Sequence, residues 1–519
     1  MKIDIDTKES ISKKIIRNTG YNIIGRFWGI LVTLVLIPYI IRHIGIERFG
    51  IWAIIGVITG YFGLLDFGIG TSFVKYIAEY YTKKDYEKIN LVVNTGFVFY
   101  SIFAIFIITL AFFIINPLLT LFKIPAHLYN EALFVFLLGI ILFGISNALS
   151  PFGAIQGGLQ RMDITNKVIL ALSIPSIAGT IFFLEKGYGL PGLMVNTAIF
   201  FVIGSIISII MAFKILPELR FNPLLFSRAI FRRLFGFGYK MQVSAIAGML
   251  HFQIDKFILA YFLNLGFVTY YSIAAQLASK IKELSLLLIS AIFPAASELD
   301  AMNDKETLYK LYFRSMKYVI LIGLPMSVVA VLLAKPFIIL WLGKGYEKSV
   351  LTLQILIVSY FFNMITGPGF FILNGLGKPQ YGMRSSILAT LLKLTLSILL
   401  VIKIGYFGVV IGTAVSMIIA AIYFIFAAHK VMNISVWEFN GKILPKPLMA
   451  CVVALLVVYI LIKQAEQMRW LGFIGAGFLY FVIFSVVISI VNYLDDFDKT
   501  LISKYSPIHY RSSIRKCNG

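Results

Sequence analysis

The chain has 519 residues, of which 59% are hydrophobic and only 13% are charged. A soluble protein must keep a polar surface that grows with its core, so this composition excludes a soluble domain and is typical of a membrane protein. The net charge of +22 would suggest nucleic acid as the partner of a soluble chain. Here the positions of the basic residues relative to the apolar runs matter more than their sum, and no nucleic-acid partner is expected.

The apolar runs predict an all-α polytopic membrane protein with about fourteen transmembrane helices, because about twenty apolar residues cross the hydrocarbon core as a helix. Residues 1–19 form a basic amphipathic segment ahead of the first run. The first six spans are predicted near 20–41, 50–73, 91–115, 131–153, 167–184 and 190–213. The next six are predicted near 238–263, 268–293, 317–334, 350–373, 385–402 and 406–428, and the last two near 447–462 and 470–492.

The loops between these spans predict the orientation of the chain. Alternate segments, beginning with the N-terminus, hold about 31 Lys and Arg residues, and the opposite set holds about 10. Cytoplasmic loops carry the excess of basic residues, so both termini are predicted to be cytoplasmic. A basic linker, residues 214–237, and a basic tail, residues 493–519, would then lie on the cytoplasmic side.

The chain also contains an internal repeat. Residues 44–54 resemble 265–274, GGLQRMD (157–163) matches NGLGKPQ (374–380), and the Gly-Tyr segment at Gly187 matches that at Gly405. The three pairs are separated by about 217–221 residues, which indicates one ancestral unit used twice. The repeat predicts a first lobe at 20–213 and a second at 238–430, related by an axis along the membrane normal. The last two helices, within residues 431–492, fall outside it.

Ionisable side chains interrupt several of the predicted spans. A charge at the centre of a membrane helix costs roughly 2.5–3.5 kcal/mol, so such residues usually face a bundle interior or a wet cavity. In span eight, Gln276, Lys280 and Glu283 follow the spacing i, i+4, i+7 and therefore share one face. The embedded ionisable residues are Arg26, Asp66, Lys75, Asp255, Lys256, Lys280, Lys282, Glu283 and Lys393.

These residues predict two kinds of binding site. If the cations Arg26, Lys256 and Lys280 share a cavity, an anionic substrate such as a phosphate or pyrophosphate would complement them through charge-assisted hydrogen bonds. An embedded carboxylate could bind H⁺ or Na⁺ and couple transport to an ion gradient. The candidates for ion coupling are Asp66, Asp255 and Glu283.

Simpler interpretations of the same residues stay open. Asp255 could pair with Lys256, and Lys280 with Glu283, so that each pair neutralises itself. Lys393 could extend its stem to the inner membrane interface.

Signatures of soluble enzymes are absent from the sequence. It contains no GxxxxGK[ST], no GxSxG and no HExxH. The chain is therefore expected to be a transporter without intrinsic ATP hydrolysis, with no cofactor and no metal site. Transport would then be driven by a gradient of H⁺ or Na⁺, or by the gradient of the substrate itself.

Four stretches, taken in order, carry a resemblance to a known family. They are residues 18–54, LLDFGIGTSFVKYIAEY (64–80), QIDKFILAYFL (253–263) and NGLGKPQ (374–380). On these stretches the chain resembles the polysaccharide-transport branch of the multidrug/oligosaccharidyl-lipid/polysaccharide exporter superfamily, which includes O-antigen and teichoic-acid flippases. The resemblance runs over nearly the whole chain and depends on the order of the stretches more than on any one motif.

The resemblance implies two six-helix lobes in a V, with a central cavity that opens alternately to either side. It implies a flippase for a polyprenyl-pyrophosphate-linked oligosaccharide, acting within the bilayer of the cytoplasmic membrane during biosynthesis of cell-surface polysaccharide. Other membrane proteins of polysaccharide assembly are candidate partners. Arg26 lies in a first-span position comparable to the cations that hold pyrophosphate in related lipid II flippases, which implies the same role for it.

Two other functions stay open. An exporter of drugs or small metabolites from the same superfamily would favour acidic groups in its cavity, whereas here the embedded cations outnumber the acids. A membrane polysaccharide polymerase or ligase would be expected to carry a long outer loop with catalytic residues, and the predicted outer loops are short.

Overall fold

The computed structural model describes residues 5–63, 69–159, 161–286, 302–435, 441–464 and 470–496, with 292, 296, 299–300 and 498. Within the described helices, the side chains of 5–27, 59–63, 69–71, 162, 237–252, 284–286 and 461–464 lie outside the description. The described residues form helices and turns and include no β-strand. The all-α class predicted from the sequence is confirmed.

Eight helices make up the first part of the chain. They are α1 (Ile5–Gly63), α2 (Ile69–Thr82), α3 (Tyr86–Leu121), α4 (Tyr129–Gly158), α5 (Met162–Glu185), α6 (Gly189–Ile215), α7 (Arg228–Phe262) and α8 (Leu265–Leu286). The predicted first span and the start of the second both lie in α1, which is broken at Gly45, where φ is 81° and ψ is 172°. A positive φ of this kind is accessible to glycine at little cost, so Gly45 makes the turn between the two helical parts.

Seven helices make up the rest of the described chain. They are α9 (Lys305–Leu342), α10 (Glu347–Ile365), α11 (Gly367–Gly375), α12 (Gln380–Ile404), α13 (Tyr406–Met432), α14 (Pro445–Gln464) and α15 (Trp470–Ile490). The predicted tenth span corresponds to α10 and α11 together, which are separated by a break at Thr366 before Pro368.

Aspartate side chains cap the N-termini of two of these helices, α3 and α9, at positions outside the long apolar runs. Asp85 accepts a hydrogen bond from the backbone N–H of Lys88 at the start of α3, and Asp304 accepts one from Thr307 at the start of α9. Each bond satisfies a backbone donor that the first turn leaves without a helical partner. The hydrogen bonds from Thr307 also lower the pKa of Asp304, so its carboxylate stays charged at neutral pH.

Ten of the described helices or helix pairs are long and apolar enough to cross a membrane. Large apolar side chains project from them, including Phe113, Phe478 and Ile402 at 73%, 72% and 68% exposure. Surfaces of this kind need lipid around them, because water would oppose their exposure. The protein is a multi-pass membrane protein, while the total of fourteen spans stays a prediction.

The chain divides into two compact units. The first contains Met1–Ser272 with Val401–Val409, and the second contains Ile273–Leu400 with Val410–Gly519. In the first unit α3 packs closely on α4, where a Cβ at Gly144 would lie only 3.1 Å from that of Ala104. In the second unit α9, α10, α14 and α15 share one apolar core, which includes Leu333, Ala454 and Phe484. The lobes were predicted from the sequence repeat, whereas these two units are defined by their compactness. The division into two six-helix lobes therefore stays a prediction.

Candidate functional site

A buried carboxylate lies on α7 in the first unit. Asp255 is fully buried and accepts a hydrogen bond from the hydroxyl of Tyr271 on α8. Its neighbour Lys256 is only partly exposed. Successive residues on a helix point about 100° apart, so these two side chains face different directions. A carboxylate removed from water in this way needs hydrogen-bond donors, and Tyr271 supplies one.

The first turns of α8 are fixed against α1, and this contact positions Tyr271. The hydroxyl of Thr269 donates to the backbone oxygen of Ile46 at 2.6 Å. Gly50 lies so close to the carbonyl oxygen of Leu265 that a Cβ built on it would be 2.4 Å from that oxygen. The sequence repeat pairs 44–54 with 265–274, and these two equivalent segments contact each other.

A second group of ionisable residues lies further along α8, in the second unit. Lys280 and Glu283 form an ion pair at 3.0 Å, with side chains 36% and 49% exposed. The ammonium of Lys282 lies 5.8 Å from the ring centre of Tyr360, which is buried on α10. The interpretation in which Lys280 and Glu283 neutralise each other therefore has direct geometric support. An exposed pair of this kind is worth little stability, so both side chains stay available to a ligand.

Two of the predicted site residues cannot be placed at the level of side chains. Arg26 belongs to α1, but its side chain lies outside the described residues, and Asp66 lies outside them altogether. Two residues after Arg26, the indole of Trp28 donates to Ser173 of α5 at 2.7 Å. The structure thus pairs Lys280 with Glu283 in the second unit, whereas Asp255 and Lys256 are neighbours on α7 whose side chains point in different directions. The roles of all six residues stay predictions.

A buried ion pair at the end of the second unit was missed by the sequence analysis. The ammonium of Lys317, on α9, pairs with Asp498 and lies 3.2 Å from Asp495. Tyr318 also donates to Asp498, at 2.5 Å, and the side chains of Lys317 and Asp498 are only 6% and 2% exposed. We expected residues 493–519 to form a basic tail. The sequence signal that could have located this ion pair is the cluster of acidic residues at the start of 493–519. Such a cluster is informative because the chain contains few acidic residues.

The structure corrects the simpler interpretation of Lys393. It lies on α12 with 1% exposure, so its stem is enclosed by protein and does not extend to the membrane interface. The helices α12 and α13 approach each other closely, since a Cβ on Gly412 would lie 2.7 Å from the backbone nitrogen of Ser397. Thr413 and Ser416 of α13 are also buried. Lys393 is therefore enclosed by protein on a helix that packs closely against α13.

The basic linker is bound to the first unit by amide side chains of α3. Asn90 donates to the backbone oxygen of Glu218 at 3.0 Å and accepts from the N–H of Arg220 at 2.7 Å. One helical turn later, Asn94 donates to Arg220 and accepts from Asn222, both at 2.8 Å. The two asparagines, spaced i, i+4, therefore pair with an extended linker as a neighbouring β-strand would. We call residues 218–222 the strap.

The start of α7 is held directly after the strap. Arg233 donates to the hydroxyl of Tyr80 at 2.7 Å and lies 4.7 Å from the ring centre of Tyr76 on α2. It also donates to Glu79 at 3.3 Å. A hydrogen bond from Lys83, together with the charge of Arg233, lowers the pKa of Glu79. The linker thus joins α6 to α7 along a path fixed at both ends, on the side predicted to be cytoplasmic.

Replacing Asn94 by alanine is expected to release the strap. The variant loses both hydrogen bonds between Asn94 and the strap, each worth about 0.5–1.5 kcal/mol net, so the strap opens more often and trypsin should cleave after Arg220 about tenfold faster. The purified full-length protein would be digested in detergent and the fragments followed by mass spectrometry.

A matched control is available for this digestion. Asn147→Ala also removes an asparagine amide, but that amide donates to Phe143 within α4, away from the strap, so cleavage should match the wild type. Equal cleavage of the Asn94 variant and the wild type would show that the strap is not held by α3.

Comparison with known proteins gives one family and a consistent fold. The profile of a family described as "Polysaccharide biosynthesis protein" matches residues 15–300, more than half of the chain. A putative O-antigen transporter of Shigella flexneri is 24% identical over 410 residues, covering 79% of this chain and 96% of its own.

Two solved structures share the fold. The lipid II flippase MurJ in an inward closed conformation aligns with a TM-score of 0.68 and 17% identity, over 92% of this chain and 98% of its own. An inward-facing multidrug resistance MATE family transporter of the MOP superfamily aligns with a TM-score of 0.67 and 17% identity, over 78% of this chain and 94% of its own. The resemblance stated from the sequence is confirmed.

Proposed function

The chain belongs to the polysaccharide biosynthesis protein family, and from this premise we propose that it is a flippase for a lipid-linked oligosaccharide. The observation that carries the proposal is the family match over residues 15–300. The fold alone is as similar to a drug exporter as to a flippase, with 17% identity in both alignments. The O-antigen transporter that aligns over most of this chain favours an oligosaccharide carried on a lipid.

The substrate is a polyprenyl-pyrophosphate-linked sugar chain, bound through its pyrophosphate. Arg26, Lys256 and Lys280 are the candidate ligands, because charge-assisted hydrogen bonds from lysine and arginine to phosphate oxygens are strong. Lys256 is partly exposed and Lys280 is 36% exposed, so both can reach a ligand. Lys280 would exchange Glu283 for the phosphate at little cost, because the exposed ion pair is weak.

Transport is coupled to a gradient of H⁺ or Na⁺ through an embedded carboxylate. Asp255 is the best supported of the three candidates, since it is fully buried and a carboxylate removed from water is costly to keep charged. Binding of a proton or a sodium ion would neutralise it. Asp66 and Glu283 are the other candidates. The protein lies in the cytoplasmic membrane with both termini inside, consistent with the excess of basic residues in alternate loops.

An exporter of drugs or small metabolites is the second candidate function. The observation that favours it is the alignment with the multidrug transporter, whose TM-score of 0.67 is close to the 0.68 of the flippase. Such an exporter would not require an arginine or lysine cluster for pyrophosphate. The effect of removing a cation therefore separates the two functions.

Replacing Arg26 by alanine is expected to slow translocation of the lipid-linked substrate at least tenfold, because one charge-assisted hydrogen bond to a phosphate is worth about 1.5–3 kcal/mol. The full-length protein would be reconstituted in liposomes with a fluorescent polyprenyl-pyrophosphate oligosaccharide. An enzyme in the opposite compartment would report the appearance of the sugar.

The control for this assay is Arg42→Ala, which removes an exposed arginine from the same helix and should leave the rate unchanged. Translocation no faster than in empty liposomes, over several sugars and ion gradients, would contradict the flippase and favour the exporter. Translocation that proceeds equally with and without ion gradients would remove the coupling proposal alone.

A further inference from the structure

A cleft opens in the first unit on the side predicted to be cytoplasmic. It lies at the C-terminal ends of α2, α4 and α6 and at the start of α5. Its volume is about 740 Å³, and its walls include Tyr81, Arg161, Ile164, Met211 and Lys214. A volume of this size is within the range of ligand sites in proteins. The cleft lies outside the site described above, so neither the family nor the proposed function accounts for it.

The charges of the cleft leave one cation in excess. The guanidinium of Arg161 pairs with Asp163 at 3.1 Å, and the Asp163 side chain is only 7% exposed. This carboxylate balances the charge of Arg161. Lys214 is exposed in the last turn of α6 and has no ion-pair partner within the part of the chain that the structure describes. The cleft therefore presents a net positive charge to any ligand at its mouth.

The other walls of the cleft are apolar and continue onto a lipid-facing surface. Ile164 and Met211 line the cleft itself, while Ile210 and Phe213 project from α6 beside Lys214 with 55% and 37% exposure. Tyr81, 42% exposed, adds an amphipathic ring of the kind found at membrane interfaces. A small free anion would use the cation and leave this apolar surface uncovered. A molecule with an anionic head and a hydrocarbon chain would use both.

We propose that this cleft binds an anionic phospholipid of the inner leaflet, with the headgroup phosphate on Lys214 and Arg161 and an acyl chain along α6. Basic pockets between transmembrane helices on the cytoplasmic side are suited to acidic lipid headgroups. The bound lipid would fill the space at the joined ends of α2, α4, α5 and α6 and hold them together. This site is independent of oligosaccharide transport.

The test is lipid binding to the purified full-length protein, measured by native mass spectrometry with phosphatidylglycerol and with phosphatidylcholine. Lys214→Gln is expected to weaken phosphatidylglycerol binding about fivefold, the factor expected for one lysine near a lipid surface. Phosphatidylcholine should bind weakly to every variant. Lys214→Arg should keep the affinity, because it keeps the charge.

The matched control is Lys186→Gln, which removes an exposed lysine from the opposite end of α5 and should leave binding unchanged. Equal affinity of Lys214→Gln and the wild type for phosphatidylglycerol would overturn the proposal, and so would equal losses in both glutamine variants. Displacement of phosphatidylglycerol by millimolar inorganic phosphate would indicate a free-anion site instead. Lys214-dependent binding of a polyprenyl phosphate but not of phosphatidylglycerol would assign the cleft to the transported substrate and overturn the proposal.

Discussion

Replacing Lys317 by methionine is expected to lower the free energy of unfolding by about 3 kcal/mol, the cost of removing one partner of a buried ion pair. Methionine preserves the length and apolar stem of the side chain. The loss therefore comes from the Asp498 carboxylate, which would stay 2% exposed without its ammonium partner. Tyr318 would still donate to it at 2.5 Å, but a neutral donor does not compensate the charge.

The measurement is denaturant unfolding of the full-length protein in detergent. Lys310→Met is the control, because Lys310 lies on the same helix in an exposed pair with Glu306 and should change the stability by less than about 0.5 kcal/mol. The double variant Lys317→Met with Asp498→Asn should be more stable than Lys317→Met alone, since it leaves no charge buried. Equal stabilities of the Lys317 and Lys310 variants would show that the buried pair contributes nothing.

Replacing Gly50 by alanine is expected to destabilise the protein by about 1–3 kcal/mol, although alanine is normally the better residue in a helix. The added Cβ would lie 2.4 Å from the carbonyl oxygen of Leu265. A backbone oxygen cannot rotate away as a side chain could, so α1 and α8 would have to separate. The bond from Thr269 to Ile46 would weaken with them.

Gly56→Ala is the matched control, because it should change the free energy of unfolding in the opposite direction. Gly56 lies six residues later in α1, and a Cβ built on it would meet nothing within 4 Å. Gly56→Ala should therefore stabilise by about 1 kcal/mol through helix propensity alone. The same unfolding measurement checks both variants. Stabilisation by Gly50→Ala would contradict the close contact between α1 and α8.

The sequence predicted the helical class and the positions of the apolar runs well, because a run of about twenty apolar residues has few other stable arrangements in a membrane. It did not predict where the helices end. The helix α9 begins at Lys305, twelve residues before the predicted span, because Asp304 caps a polar extension that hydropathy does not detect. Gly45 gave no signal in the hydropathy pattern that distinguishes a helix break from a loop.

The contacts of the buried polar residues were much harder to predict. The sequence identified Asp255 as embedded, but its partner Tyr271 lies on the next helix, and no sequence pattern pairs the two. Lys317 and Asp498 are separated by 181 positions, so no local pattern connects them. Asn90 and Asn94 follow a helical spacing that was visible, yet that spacing does not reveal what the amides bind.

The first unit includes a segment from late in the chain, and this has a consequence for its biosynthesis. Residues Val401–Val409 belong to this unit, and within them the ring of Tyr406 stacks on Phe267 with centroids 5.2 Å apart. Translation adds about 5–20 residues per second, so this piece emerges on the order of ten seconds after Ser272. The N-terminal unit therefore waits for a late segment before it is complete. A gene cut after codon 272 would encode an unfinished unit rather than an autonomous half.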